Sequence, residues 1–223
     1  MNPPVVDQQA VVPEALTNTA FGIVGVCTTI IYILMIRRGF LDKRTALPVL
    51  PAIANVSWEL VYAFVYPVYP QMRITLFAWL PLDLVLLWLA IRFGRKDFRD
   101  MSRSGYAWML VGWAVFALSF LILATHEFND AIGAYTTVFD VVFMEAMFIV
   151  TLRARRSTAG QTMYFAILKT IVDASGAAGL ILWFPNRLLL QQMIAAELVL
   201  DVVYGVLLYR QFKAENANPW RKV

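Results

Sequence analysis

The chain has 223 residues, of which 60% are hydrophobic, and its mean hydropathy of +0.64 is typical of an integral membrane protein rather than a soluble one. Its single cysteine, Cys27, excludes an intrachain disulfide and argues against a cysteine-rich metal site. The formal net charge of +4 does not indicate nucleic-acid binding, because the basic residues lie at the ends of apolar segments.

Seven apolar segments follow one another along the chain, each close to the roughly 20 residues that span a bilayer. The preceding segment, residues 1–18, contains no Lys or Arg, so we expect no secretory signal and a first span that inserts by itself. The sequence predicts an all-α polytopic membrane protein, a seven-transmembrane-helix bundle over residues 19–209 with a cytoplasmic tail at 210–223. The predicted spans are 19–36, 47–66, 74–93, 106–125, 134–152, 163–183 and 190–209.

The distribution of positive charge predicts the orientation of the bundle. Sixteen of the nineteen Lys and Arg residues fall in alternate loops on one side, whereas only Arg73 and Arg187 fall on the other and Lys169 lies within a span. Because cytoplasmic loops carry the excess of positive charge, we expect the N-terminus outside and the C-terminus in the cytoplasm. The sixteen are Arg37, Arg38, Lys43, Arg44, Arg92, Arg95, Lys96, Arg99, Arg103, Arg153, Arg155, Arg156, Arg210, Lys213, Arg221 and Lys222.

Seven acidic side chains lie within the predicted spans, and Lys169 is the only cation at comparable depth. An ionised group near the bilayer centre costs about 2.5–3.5 kcal/mol on insertion scales, so such groups usually face a polar interior and carry function. The acids come from five different spans and converge at a central to outer depth, which predicts a carboxylate-lined chamber. They are Glu59, Asp83, Asp140, Glu145, Asp173, Glu197 and Asp201.

A structural reading stands beside the functional one for each acid, since a buried carboxyl can hydrogen-bond a neighbouring helix and help the bundle assemble. Lys169 and Asp173 are four residues apart on one helix, so we expect them to form a structural ion pair. Among the aromatic residues, Trp58 and Trp88 are expected to line a pocket, because the first adjoins Glu59 and the second lies well inside its span.

The motifs of common cofactor and metal chemistry are missing. There is no glycine-rich phosphate loop and no HExxH pair, and the single histidine, His126, lies in a polar outer loop. We therefore expect neither a metal nor another cofactor. The available chemistry is that of carboxylic acids, phenols and indoles in a dry cavity.

Two short motifs resemble a known family. WELVY at residues 58–62 in the second span, and ELVLDVVY at residues 197–204 in the last, are similar to the integral-membrane terpene cyclases of meroterpenoid biosynthesis. Length, number of spans and the two acidic positions agree over nearly the whole chain. The resemblance implies that Glu59 and Asp201 are the essential acids, with Glu197 one turn from the latter.

By this resemblance we expect a terpene cyclase. It would protonate the terminal alkene or epoxide of a prenylated, farnesylated aromatic or indole-type substrate and cyclise it through a carbocation without a metal. Glu59 is the expected proton donor and Asp201 its partner or a second acid. The expected aromatic wall and supporting residues are Trp58, Tyr62, Tyr204, Asp83, Asp140, Glu197 and Asn55.

The expected partners are a lipophilic prenylated small molecule and membrane lipid, with no nucleic acid. Short loops favour a bacterial cytoplasmic membrane over the endoplasmic reticulum. Oligomeric state, head group, prenyl length and the choice between epoxide and alkene stay open at this point.

A small-solute, sugar-like transporter is the main alternative. The motifs DLVLLWLAIR from Asp83 and DVVYGVLLYR from Asp201 echo each other, which fits a three-plus-one-plus-three helix arrangement. Against this, a sugar site needs several neutral polar groups, and Asn55 is the only Asn well inside a span. A retinal protein fits less well, because Lys169 lies in the sixth span rather than the last. A scaffold whose acids serve only assembly would have to bear the cost of seven buried carboxyls.

Overall fold

The structure, a computed structural model, describes residues 12–66 and 70–222, and these form helices joined by short loops with no β-strand. The expected all-α architecture is confirmed; residues 1–11 of the predicted N-terminal segment lie outside the described part. A π-helical turn, Val61–Val65, continues the second helix, and a short 3-10 turn, Arg95–Asp97, follows the third. The helices are α1 (Glu14–Asp42), α2 (Val49–Leu60), α3 (Pro70–Gly94), α4 (Arg103–Phe128), α5 (Ala134–Arg155), α6 (Met163–Trp183) and α7 (Leu188–Ala214).

Six of the described helices are long and apolar enough to cross a membrane, namely α1, α3, α4, α5, α6 and α7. The predicted span 47–66 is the exception, because its apolar helix covers only Val49–Val65. Pro48 stands at the start of α2, where its missing N–H costs no helical hydrogen bond. The chain is thus an integral multi-pass membrane protein, and its described residues form six long apolar helices and a seventh short one.

The short helix α2 is also a central one. Eight of its twelve residues are buried, and it packs on α3, α4 and α5. Further contacts join α1 to α3 and α6, and α7 to α5 and α6, so the helices close a ring in the order α1, α3, α2, α5, α7, α6. Helix α4 lies outside this ring, mainly against α2. The ring turns one face of each acid-bearing helix towards the interior.

Ion pairs tie together the loops at the basic end of the bundle. Asp97, after α3, accepts hydrogen bonds from Arg44 at 2.9 Å and from both Nε (3.0 Å) and Nη2 (2.6 Å) of Arg155 at the end of α5. In the C-terminal tail, Nζ of Lys222 lies 3.1 Å from Oδ2 of Asp42 at the end of α1. Two-pronged Arg–carboxylate bonds are among the strongest in proteins, so these contacts fix the ends of α1, α3 and α5 relative to each other.

Asp130 organises the opposite end of the bundle. Its carboxylate accepts the backbone N–H groups of Ala134 (2.7 Å), Tyr135 (2.9 Å) and Thr136 (3.1 Å), which are donors that the first turn of α5 cannot satisfy internally. Burial raises the pKa of this carboxyl to about 6, and the same hydrogen bonds act in the opposite direction. Gly133, the residue directly before α5, has φ of 77°, a value at which a residue with a side chain would be strained.

We expect Asp130→Ala to lower the free energy of unfolding by about 2 kcal/mol, because three buried N–H groups lose their acceptor. Thermal unfolding of the detergent-solubilised protein measures the effect. Glu127→Ala, at an exposed position near the end of α4, is the matched control and is expected to change stability by less than about 0.5 kcal/mol. Equal midpoints for the two variants would show that Asp130 does not cap α5.

Candidate functional site

The seven membrane-embedded acids are all buried, with at most 7% of any residue exposed. They fall into two groups within the ring. We call the first the cation-free cluster: Glu59, Asp83 and Asp140, with Tyr32 and Asn55. We call the second the lysine cluster: Lys169, Glu145, Asp173, Glu197 and Asp201.

In the cation-free cluster, the carboxyls of Glu59 on α2 and Asp83 on α3 face each other. Asp140 on α5 adds a third carboxyl near Asp83, and Asn55 Nδ2 donates a long hydrogen bond of 3.5 Å to the Tyr32 hydroxyl. No ion pair among the described residues involves these three carboxyls. An ionised carboxylate only accepts hydrogen bonds, so the facing pair can bond to each other only when one of them carries a proton.

Three carboxyl oxygens of the cation-free cluster lack a hydrogen-bond partner in the described part of the chain. Oε2 of Glu59 and both carboxyl oxygens of Asp83 have no hydrogen-bond donor within residues 12–66 and 70–222. A buried acceptor without a donor costs free energy. A proton shared between Glu59 and Asp83 would remove part of that cost.

Lys169 on α6 anchors the lysine cluster. Its Nζ lies 2.6 Å from Oε1 of Glu145 on α5 and 3.0 Å from Oδ2 of Asp173, and it also bonds Oδ1 of Asp201 on α7. The expected ion pair between Lys169 and Asp173 is confirmed, and the structure adds two carboxyls from other helices to it. Glu197, one turn before Asp201, faces the same group of charges.

Three carboxyls of this cluster are close enough to suit a cation. One oxygen each of Glu145, Asp173 and Asp201 lies within 4.8 Å of the others. The ammonium of Lys169 already contacts all three, so the described geometry is that of an ion cluster held by a lysine. Oε2 of Glu145 and Oδ2 of Asp201 keep no hydrogen-bond partner in the described part of the chain.

Both clusters lie at about the same depth. Glu59 lies about ten residues after the start of α2. Asp83 and Glu145 lie about ten residues before the ends of α3 and α5, respectively. At about 1.5 Å per residue, these carboxyls lie about 15 Å from the basic end of their helices, half the thickness of a bilayer core.

The structure does not bring the two predicted essential acids together. Glu59 faces Asp83, whereas Asp201 bonds Lys169, and no hydrogen bond or ion pair joins Glu59 to Asp201 in the described residues. The sequence reasoning did not include Tyr32 in the site. A tyrosine hydroxyl midway along an apolar helix was the available signal, because such a group needs a polar partner.

Trp58 and Tyr62 flank Glu59 in the sequence, and their polar atoms are already bonded. Trp58 Nε1 donates to Thr136 Oγ1 at 3.2 Å, and the Trp58 and Tyr62 rings pack at a tilt of 38° with their centroids 4.7 Å apart. The fully buried Tyr62 hydroxyl bonds the hydroxyls of Thr125 and Thr136, each at 2.7 Å. This network joins α2 to the α4–α5 connection.

Tyr204 contacts the lysine cluster, but Trp88 lies elsewhere. The Tyr204 ring is fully buried against Phe148, with its centroid 6.0 Å from Nζ of Lys169 and its hydroxyl 3.2 Å from Oε1 of Gln161. Trp88 is 52% exposed on the outside of the bundle, so the expectation that it lines a pocket is wrong. A cavity of about 510 Å³ lies at the basic end, against the C-terminal tail. The predicted central chamber stays a prediction.

We expect Tyr62→Phe to lower stability by about 1–2 kcal/mol, because Thr125 and Thr136 each lose a buried hydrogen-bond partner. Thermal unfolding in detergent checks this. Tyr66→Phe is the control, since within the described residues the Tyr66 hydroxyl makes a single bond, to the carbonyl of Ile122, at an exposed position. The interpretation fails if Tyr66→Phe costs as much as Tyr62→Phe.

Comparison with known proteins shows similarity to transmembrane terpene cyclases. A family model described as Pyr4-like transmembrane terpene cyclases matches residues 2–214. The terpene cyclase olcD of Penicillium canescens is 29% identical over 198 residues, which are 83% of this chain and 81% of that relative. The terpene cyclase andB of Emericella variicolor is 25% identical over 201 residues, or 84% and 85% of the two chains.

The Pyr4-family terpene cyclase mfmH of Annulohypoxylon moriforme is 24% identical over 142 residues, which are 62% of this chain and 59% of mfmH, so the match spans less than two thirds of that relative. No solved structure matches the chain at a significant level. The sources of these relatives are fungi, so the expected preference for a bacterial membrane is not supported. The transporter alternative also receives no support.

Proposed function

The chain belongs to the family of Pyr4-like transmembrane terpene cyclases, and from this membership we propose that it cyclises a prenylated, farnesylated aromatic or indole-type substrate. The reaction begins when an acid protonates the terminal alkene or epoxide of the prenyl chain, and it proceeds through a carbocation. A lipophilic substrate of this kind reaches the site from the surrounding lipid. The observation that supports a proton-initiated reaction is the cation-free cluster, with two facing carboxyls at the centre of the bundle.

Glu59 is the proposed proton donor. Two buried carboxyls that face each other without a cation cannot both be ionised at acceptable cost, so Glu59 and Asp83 together retain a proton. Oε2 of Glu59 has no partner among the described residues and is therefore available to a substrate. An epoxide oxygen can accept a hydrogen bond from this acid before it is protonated. An alkene needs a stronger acid, and a protonated Asp83 and the Tyr32 hydroxyl can strengthen Glu59 by donating hydrogen bonds to its carboxylate once it has lost its proton.

The carbocation then needs stabilisation without capture by water. Aromatic faces contribute roughly 2 kcal/mol each to a desolvated cation; Tyr204 lies against the lysine cluster, and Trp58 is the neighbour of Glu59 in the sequence. The apolar surroundings exclude water. Asp201 is the second acidic residue proposed to be essential, with Glu197, Asp140 and Asn55 in supporting positions.

We expect Glu59→Gln to reduce turnover by about 100-fold or more, because the amide keeps the shape of the side chain but cannot donate the initiating proton. Membranes that contain the protein are given a farnesylated indole-type compound or its terminal epoxide, and products are followed by chromatography with mass spectrometry. The wild type should give a new peak of unchanged mass.

Trp88→Phe, on the lipid-facing surface, is the control and should keep wild-type turnover. Full turnover by Glu59→Gln would refute its role as donor. If neither compound gave an isomer, the proposed substrate class would be wrong, and uptake of unchanged solute into liposomes would return the transporter to consideration.

The proposed topology has seven spans, with Val49–Val65 as a short buried one, the N-terminus outside and the C-terminus cytoplasmic. The asymmetry of Lys and Arg supports this orientation. It places the Asp97–Arg155 contacts in the cytoplasm and Asp130 on the outer side.

Single cysteines test this topology, because Cys27 is the only native one. In a Cys27→Ala background, we expect a membrane-impermeant maleimide to label Glu127→Cys in intact cells and to label Lys213→Cys only after permeabilisation. Both positions are exposed and helical. In the proposed topology three spans, α5, α6 and α7, separate the two positions, which places them on opposite sides of the membrane. Labelling of both from one side would require an even number of spans between them and would contradict this topology.

A further inference from the structure

We propose that Lys169 is a positioning residue that holds Asp201 ionised, so that Asp201 accepts the proton released at the end of cyclisation while the cation-free cluster supplies the proton that starts it. This inference rests on the proposed function and assigns opposite roles to the two acidic clusters. The feature that separates the clusters is a single ammonium group.

The ammonium group of Lys169 lies in direct contact with the carboxyl of Asp201. Its Nζ bonds Oδ1 of Asp201 and also lies 2.6 Å from Glu145 and 3.0 Å from Asp173. Lys169 and Asp201 are 7% and 1% exposed, so water screens little of the attraction between them. A buried ammonium is tolerated only with compensating negative charge, and it favours the ionised form of the carboxyls that it contacts.

The second oxygen of Asp201 provides the reactive position. Oδ2 is buried and has no hydrogen-bond partner among the described residues, whereas Oδ1 is held by Lys169. A desolvated carboxylate oxygen that lacks a hydrogen-bond donor is stabilised when it binds a cation or a proton. Asp201 is therefore oriented by one oxygen and left able to react through the other.

The groups around Asp201 come from every helix packed against α7. Glu145 faces it from α5, and Lys169 and Asp173 face it from α6. Glu197 and Tyr204 lie on α7 itself, one turn before it and just under one turn after it. Lys169 is the only cation among these described neighbours, so it sets which carboxyl holds a negative charge most easily. Glu145 also has a buried oxygen without a partner among the described residues, Oε2, so the experiment must distinguish Glu145 from Asp201.

The proposed step balances protons and electrons. The O–H bond of Glu59 breaks, and its proton forms a C–H bond at the alkene or an O–H bond at the epoxide as that C–O bond opens. Alkene electron pairs then form the ring C–C bonds. A C–H bond next to the final cation breaks, its electron pair forms a C=C bond, and Oδ2 of Asp201 takes the proton. One proton enters and one leaves, so the product is an isomer, and both acids exchange protons with solvent between turnovers.

The first test compares Lys169→Met, Asp201→Asn and the double variant in the cyclisation assay. We expect each single variant to lower kcat by about tenfold or more with a smaller change in KM, and the double variant to be no slower than the worse single one. The cation that has lost its base is then captured by water, so the fraction of product heavier by one water should rise in all three.

Two further variants make this result specific. Lys169→Arg keeps the charge and should restore the wild-type product ratio. Asp173→Asn removes another partner of the same ammonium but leaves the bond to Asp201, and should change the ratio less than Lys169→Met. A structural role for Lys169 would lower the yield of folded protein without changing the ratio. The inference is overturned if Lys169→Met keeps the wild-type ratio, if the two single effects add, or if Glu145→Gln changes the ratio and Asp201→Asn does not.

A substrate-free measurement separates this inference from the proposed function. Infrared difference spectra of the membrane-reconstituted protein report protonated and ionised carboxyls. Asp201→Asn should remove an ionised carboxylate band from the wild-type spectrum, and Lys169→Met should gain a protonated carboxyl band that disappears in the double variant. If Asp201→Asn instead removes a protonated band, the inference fails whatever the enzyme cyclises. If the spectra agree but no substrate gives an isomer, the proposed function fails alone.

Discussion

The contact between Lys169 and three carboxyls is the interaction on which the interior of the bundle depends. Glu145, Asp173 and Asp201 come from α5, α6 and α7 and meet at one ammonium. Removal of one partner from a buried ion cluster leaves an uncompensated charge, which costs about 3–5 kcal/mol. The cluster therefore fixes the relative rotation of three helices whose outer faces contact lipid and impose little specificity.

The short helix α2 provides the complementary constraint. Pro48 sets where it begins, and the π-helical turn over Val61–Val65 ends it near the network of Tyr62 and Asp130. With most of its surface covered by protein, α2 can present a polar face to Asp83 without exposing that face to lipid. The two clusters thus differ in chemistry although they lie at one depth, because one contains an ammonium and the other does not.

Family membership and geometry contribute different parts of the functional argument. The match over residues 2–214 shows the family, and the fungal sources of the relatives do not support a bacterial assignment. The geometry adds a division of the acids that the motifs alone do not contain. Asp83 lies opposite Glu59, in the position that the sequence reasoning had given to Asp201.

The sequence by itself determined the membrane location, the helical class, six long spans and the seven acids buried within the helices, because hydropathy and charge position are local properties of the chain; it did not identify the buried Asp130. It also predicted the pair between Lys169 and Asp173, since their spacing places both on one helix face. It overestimated the second span, because a buried helix between other helices can be shorter than a lipid-exposed one. Only the tertiary structure decided which acids face each other, because helix order and rotation depend on packing among distant segments. For the same reason it placed Tyr32 inside and Trp88 outside, although both lie well within apolar helices.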